Sequence, residues 1–338
     1  SVRCTPLYLK KAERVSRNRL FVLFSAPNQL PELNILSPAN HAADWYVMER
    51  REGNDSIVYW LTDSVLLKAD SINVDMRYMK MDSLENVVAV NDTIVFQVRR
   101  TNAEIKAERE AQKEREDIEK EREKLIKRRE KLVASGKDVT EIDLDIKALA
   151  QRERAQREVL QLTPKKTDQL DVTDTIQFAL NAPIGNITQS AIRLERMQKD
   201  STWMRVKAEM RLINELNPLN YMIQANLKPE EQYRLHFDSA AVCNVYGVAN
   251  DSVTYKFKVK SLDEYGYVIL HVNSDDGAFV ELLDANENVI RHERVTDGTV
   301  RFENLIPAEY YARLVIDTNG NDRWDAGNYA EHRQPEEG

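Results

Sequence analysis

The stretch Asn250-Asp-Ser-Val-Thr-Tyr-Lys-Phe-Lys-Val259 decides the fold, because it restates Asn91-Asp-Thr-Ile-Val-Phe-Gln-Val98 from the other half of the chain. Each copy opens on Asn-Asp and then alternates β-branched or aromatic residues with polar ones. That is the period-two pattern of a strand with one buried face. Working back from each copy, the agreement continues in order. Tyr233-Arg-Leu-His-Phe-Asp-Ser239 parallels Val74-Asp-Met-Arg-Tyr-Met-Lys-Met-Asp-Ser83, and Phe178-Ala-Leu-Asn-Ala-Pro183 parallels Phe21-Val-Leu-Phe-Ser-Ala-Pro27. These ordered matches predict two copies of one immunoglobulin-like β-sandwich, over residues 1–100 and 166–260.

Outward from the second copy, Tyr267–Val272, Ala278–Leu283, Val289–Val295, Gly298–Phe302 and Tyr310–Ile316 read as short strands with turns at Asp276-Gly, Asn286-Glu-Asn and Asp297-Gly298. The phrase Phe302-Glu-Asn-Leu-Ile-Pro-Ala-Glu-Tyr-Tyr311 is of the kind that joins strands in small prealbumin-like, carboxypeptidase-regulatory-like sandwiches, so residues 261–338 are assigned to one.

Between the copies the chemistry changes. Residues 101–165 are dominated by Ala, Glu, Lys, Arg, Gln and Leu, broken at Ser135-Gly136 and resumed from about Glu141 to Leu160. Thr101-x-x-Glu104 and Thr140-x-x-Asp143 have capping-box spacing, Gly136 suits the position just past a helix end, and Pro164 blocks continuation. An antiparallel, coiled-coil-like α-helical hairpin is expected, projecting from a mainly β molecule. Ala111, Ile118, Leu125 and Leu132 recur every seven residues, and Ile142, Ile146 and Leu149 supply the return helix, so these residues form the expected seam. Glu116 with Lys120 and Glu123 with Lys127 stand at i,i+4. Two readings of the hairpin follow: a solvated pair held by helix propensity, or a docking arm for a protein partner.

The chain has 338 residues, net charge −8 and two cysteines, Cys4 and Cys243, far apart. The length calls for several cored units. The acidic balance opposes a phosphate-backbone binder, so no nucleic-acid partner is expected. The helical segment 102–162 holds sixteen acidic and sixteen basic residues, so the excess negative charge belongs to the β regions. No apolar run approaches the ~20 residues of a membrane span, and the first residues lack the apolar core of a signal peptide.

Chemistry-bearing motifs are sparse. His41, His236, His271, His292 and His332 show no HExxH or paired metal spacing, and no G-x-S-x-G elbow, P-loop or GxGxxG occurs. Asp275-Asp276 and Glu336-Glu337 are adjacent carboxylates of the kind that seldom converge on one substrate. A non-enzyme is expected. Trp45, Tyr46, Tyr59, Trp60 and Trp203 could form a glycan platform, although sandwich cores use the same residues. Asp317-Thr-Asn-Gly-Asn-Asp-Arg-Trp-Asp-Ala-Gly-Asn-Tyr329 places Asp317, Asn319, Asn321, the Arg323 carbonyl and Asp325 at ligand spacings of a calcium loop. Its glycine comes early and Asn328 stands where a bidentate Glu belongs. The segment therefore reads either as a Ca2+ site or as a corner of Asx-turns packed on Trp324.

Trp45-Tyr46, Asp55-Ser-Ile-Val-Tyr-Trp-Leu-Thr-Asp63, Asp82-Ser83, Asp238-Ser239, Tyr246-Gly247, Asn250-Asp251, Glu264-Tyr265-Gly266 and the Asp317–Tyr329 segment with Gln334-Pro-Glu-Glu337 together resemble the C-terminal part of the SbsA-type Ig-like-domain outer-membrane lipoproteins of Bacteroidota. The resemblance covers nearly everything except residues 102–162. It implies export, membrane association through an N-terminal lipid anchor that this sequence lacks, no enzymatic activity, and protein partners in the outer membrane or periplasm, in an assembly or secretion complex. The alternative is a surface protein whose Ig-like units bind glycan or another ligand.

Overall fold

In the computed structural model, which describes residues 6–98, 102–273, 277–317 and 320, the alternating segments pair into small, mostly antiparallel sheets. Strand outweighs helix by 47% to 19%, which makes the molecule mainly β. The first unit runs β1 (Leu9–Ser16), β2 (Arg19–Phe24), β3 (Glu32–Ser37), β4 (Tyr46–Arg50), β5 (Ser56–Leu61), the short helix α1 (Ser64–Lys68), β6 (Ser71–Met81) and β7 (Val87–Gln97). Its sheets are ordered β1-β2-β5-β4 and β3-β6-β7. Leu20, Val22, Ile57, Tyr59, Leu61, Ile72, Val74, Met76 and Phe96 form the core between them. α1 was absent from the sequence reading. Asp63 caps its first turn by accepting from Val65 and Leu66 amides, and buried Arg14 closes its end, donating to the Leu66 and Ala69 carbonyls at 3.0 and 2.7 Å. Burial pulls the Arg14 guanidinium down to about 10.

Two helices follow, α2 (Asn102–Ala134) and α3 (Thr140–Gln156). Gly136, at φ 66°, ends α2; the Lys137 amide reaches back to the Leu132 carbonyl at 3.0 Å, so a left-handed residue is required there. The start of α3 differs from the expected Thr140–Asp143 box. Asp138, two residues upstream, accepts from both the Thr140 amide and hydroxyl, so the carboxylate that caps the turn lies outside the helix. Thr101 of the other expected box lies outside the described residues, as does the side chain of Glu104.

The second unit comprises β8 (Thr163–Pro164), β9 (Gln169–Leu170), β10 (Ile176–Ala179), β11 (Ile184–Ile187), β12 (Ile192–Met197), β13 (Trp203–Val206), β14 (Ala208–Asn214), β15 (Asn217–Ala225), β16 (Gln232–Phe237), β17 (Val242–Asn244) and β18 (Val253–Val259). Its principal sheets, β14-β15-β10-β8 and β13-β12-β16-β18-β9, contain the strand order of the first unit, with β13 and β9 added at the edges. Phe178, Leu194, Leu235, Phe237 and Phe257 lie in its core. Leu160 and Leu162 lie there too, and the Leu160 amide donates to Ala249 at 3.0 Å. Residues 157–165, grouped with the helices in the sequence, therefore pack with this sandwich, because Leu160 and Leu162 enter its apolar core.

The third unit has β19 (Gly266–His271), β20 (Ala278–Leu283), β21 (Val289–Arg294), β22 (Thr299–Leu305) and β23 (Tyr311–Ile316), in sheets β19-β22 and β21-β20-β23 around Val280, Leu282, Val300, Phe302 and Leu305. One turn device recurs in all three. Asp82, Asn244 and Asp284 each accept from the amides two and four residues on, at 2.8–2.9 Å. Each is followed at the third position by a left-handed residue, Glu85, Gly247 or Glu287.

The junctions are direct. Between the first two sandwiches the Arg50 amide on β4 donates to the Leu216 carbonyl at 2.8 Å. Tyr246 from the second sandwich is half-buried beside Asn18 and Arg19, and burial of its hydroxyl raises its pKa. Between the second and third units Asp171 accepts from Lys166 and Lys260 at 2.8 Å each and from the Tyr265 hydroxyl at 2.7 Å. Those donors hold its carboxyl far below the usual range.

Candidate interaction surfaces

Of the expected seam, Ile118, Ile142 and Leu149 are buried, Leu125, Leu132 and Ile146 are half-buried, and Ala111 is exposed. The reason is length. α3 has 17 residues against 33 in α2, so the return helix ends before it can cover Ala111. The helices are aligned by charge: Arg129 meets Asp143 at 2.6 Å, Arg122 meets Glu153 at 3.4 Å and Arg152 meets Glu121 at 3.7 Å, an antiparallel register. The i,i+4 pairs Glu116–Lys120 and Glu123–Lys127 are not formed; Glu116 accepts instead from the Gln112 side-chain amide at 3.0 Å. Exposed pairs of this kind set register more than they stabilise.

Where the helices leave the second sandwich there is a cleft of about 830 Å³, lined by Arg115, Ile118, Glu119 and Arg122 of α2, by Glu153 and Arg154 of α3, and by Gly247, Val248 and Ala249 of the sandwich. Asp251 anchors this end, taking Arg157 at 2.6 Å and Arg154 at 3.5 Å. The Gly247 turn carries no side chain towards the opening; no other atom lies within 4 Å of a Cβ built there. Sequence reasoning missed this place. Its helical and sandwich residues are 90 or more positions apart and share no spacing signal, although Asp251 belongs to the Asn-Asp pair that opened the repeat.

Of the calcium set, Asp317 is described; Asn319, Asn321, Arg323 and Asp325 lie outside the described residues, as do Trp324 and His332. The Asp317 side chain is fully buried. One oxygen accepts from the Gly320 amide at 2.6 Å, an Asx-turn contact, and the other lies 3.3 Å from Arg294. Among the described residues no group of three His, Cys, Asp or Glu is placed to hold a metal ion.

The aromatic candidates divide. Trp45 and Tyr59 are buried in the first core, stacked at 6.0 Å; Trp60 is buried on the opposite face of β5, under Arg19 at 5.1 Å and with its indole donating to Glu49 at 3.0 Å. Tyr46 packs edge-on against both Trp45 and Tyr59. Trp203 is half-buried on the outside of the second sandwich, its ring covered by Arg234 at 4.5 Å. None of the five presents a bare ring face in a row with another. His236 bonds to Thr254 and Asp238; His292 lies edge-on to Phe279. Asp275 and Asp276, Glu336 and Glu337 lie outside the described residues. Among the described residues no helix is long and apolar enough to cross a membrane.

No protein-family model matches the chain and no curated protein matches it. Among solved structures it is similar to the N-terminal part of the bacterial S-layer protein SbsC, at 13% identity and TM-score 0.28, over 63% of this chain and 54% of that one. The chain thus spans about half the length of that structure. It is also similar to Escherichia coli alpha-2-macroglobulin domains MG0-NIE-MG1, at 10% identity and TM-score 0.27, over 91% and 93% of the two chains. A biofilm-associated protein BSP domain shares 11% identity at TM-score 0.18, over 95% of this chain and 66% of that one.

Proposed function

We propose that the chain is a non-enzymatic structural and interaction protein of the cell envelope, in which rigid Ig-like sandwiches and a prealbumin-like unit carry an inserted, coiled-coil-like helical hairpin as a docking arm. The observation that supports this reading is the direct contact of the two sandwiches through Arg50 and Leu216. The helices lie between them in sequence yet are not needed to join them. A neutral arm with a short apolar seam and Ala111 left uncovered offers a partner helix a place to complete the packing. The resemblance to Bacteroidota Ig-like lipoproteins supplies the setting: an outer-membrane lipoprotein whose partner is a protein of an outer-membrane assembly or secretion complex. The reading in which aromatic residues bind glycan is disfavoured, because Trp45 and Tyr59 are core residues and Trp60 is buried beneath Arg19.

The test is affinity purification of the full, native protein from membranes, beside a variant with residues 103–156 replaced by a Gly/Ser linker. This cut spares Leu160 and Leu162, which the second core requires. The expected result is co-purification of an outer-membrane complex with the intact chain and its loss from the variant, with unchanged hydrogen-exchange protection of both sandwiches. Equal recovery of the complex with the linker variant would overturn the arm's role.

A further inference from the structure

The outer face of the β12-β16-β18 sheet is a grid of cations on an acidic protein. Alternation turns Leu194, Leu235, Phe237 and Phe257 into the core and leaves Arg193, Glu195, Arg205, Gln232, Arg234, His236, Thr254, Lys256 and Lys258 outside. The register sets them in rows: Arg205, Glu195, Arg234 and Lys256 lie across four strands, with Gln232 and Lys258 beside them. Neighbouring strands stand ~4.8 Å apart and alternate residues about 7 Å apart along a strand. Five cations face Glu195 and, at the end of β16, Asp238. Arg193 takes Asp238 with two nitrogens, at 3.2 and 2.8 Å, and Arg234 pairs with Glu195 while lying over Trp203. Arg205, Lys256 and Lys258 are exposed and form no ion pair among the described residues.

The first sandwich serves as an internal control. The same face of its β3-β6-β7 sheet carries Arg77 against Glu32 and Asp75. The fold itself therefore does not call for a basic face. A sheet of this order is stable with that surface near neutral, and the accumulation in the second copy opposes the chain's net charge of −8.

We propose that this face binds an anionic polysaccharide of the uronate class, laid across the strands. Arginine and lysine at regular intervals match carboxylates that recur along an extended polymer, and a flat, open sheet suits a chain better than a small ligand. Gln232, with the remaining lone pairs of Thr254 and Glu195, supplies donors and acceptors for sugar hydroxyls. Other polyanions fit less well. Single-stranded nucleic acid takes much of its affinity from base stacking, and the Trp203 ring on this face is already covered by Arg234, while the His236 ring is held by Thr254 and Asp238. An anionic bilayer calls for apolar side chains that insert beside the cations, and Met197, which is half-buried, is the apolar aliphatic side chain here. This inference is independent of the helical arm.

The experiment measures binding of the full chain to polygalacturonate at low ionic strength, beside neutral dextran, oligothymidine and phosphatidylglycerol vesicles. The expected result is salt-sensitive binding to polygalacturonate, weaker binding to the other probes, and at least a tenfold (~10-fold) loss in an Arg205→Glu, Lys256→Glu, Lys258→Glu variant. Those side chains are exposed, so unchanged thermal unfolding is expected. Arg77→Glu on the first sandwich, and the linker variant lacking the helices, should bind as the wild type does. Absence of polygalacturonate binding, stronger binding to oligothymidine or vesicles, or undiminished binding by the triple variant would each overturn the proposal.

Discussion

The first and second sandwiches share a strand order and put it to different use. In the first, β3-β6-β7 shows solvent a nearly neutral face and the polar investment is internal, in Arg14 holding the end of α1. In the second, the equivalent face is strongly basic, extra strands lie at both edges, and the most deeply buried of its internal polar residues is Asn250. It donates to the Asp238 and Asp251 carbonyls at 2.9 and 2.8 Å and accepts from the Val242 amide at 2.8 Å. Asn91, its counterpart in the repeated stretch, lies exposed inside the 11-residue strand β7. The same dipeptide is thus a buried brace in one copy and a strand surface in the other. What the copies hold in common is the apolar alternation; what they vary is every position that alternation leaves free.

The comparison can be broken first where the copies agree. Phe96 and Phe257 are both buried, at 0% and 2% exposure. Replacing either by Ala is expected to cost its own sandwich about 3–5 kcal/mol, read as lost hydrogen-exchange protection confined to that unit. A large loss for one and little for the other would end the claim of equivalence. The next effect sharpens the difference. Asn250→Ala removes three hydrogen bonds from a buried site and should cost about 2 kcal/mol or more, whereas Asn91→Ala should stay within about 0.5 kcal/mol in denaturant unfolding.

The smallest effect concerns the two junctions of the second sandwich. Donors from Lys166, Lys260 and Tyr265 depress the Asp171 carboxyl in the folded chain. Its stabilisation is therefore complete above the unfolded carboxylate range near ~4 and is lost as pH falls through the folded value. Asp171→Asn should lower the calorimetric unfolding temperature at neutral pH, by a difference that narrows on acidification below about 4. The Arg50–Leu216 junction, made by backbone groups, should show no such dependence.

Much of the architecture was legible because period-two alternation and Asx-led turns are local signals. Asp297-Gly298, both residues at positive φ, closes its hairpin as its dipeptide predicts. Of the expected seam, Ile118 and Leu149 are buried while Ala111 is exposed, since a repeat in one helix says nothing about where its partner stops. The burial of Trp45 and Trp60 could not be separated from a surface role by residue type, because Trp45-Tyr46 and Tyr59-Trp60 put aromatic residues on both faces of their strands. The cleft at Asp251 and the cation grid were harder still. Lys256 and Lys258 read in sequence as the solvated half of a strand, and only the register of β16 and β12 sets them beside Arg234 and Arg205.

The Arg50–Leu216 contact also bears on how such a molecule can change over time. Because the sandwiches touch, the helical segment is a detour in the chain and not a link in it. The entropy of closing a detour grows with the logarithm of its length, so each doubling costs only about 0.6 kcal/mol. Whole turns of helix can be gained or lost there with little consequence for the β frame. The reach of the arm is then free to track whatever it must touch, while the surfaces that the frame displays stay fixed.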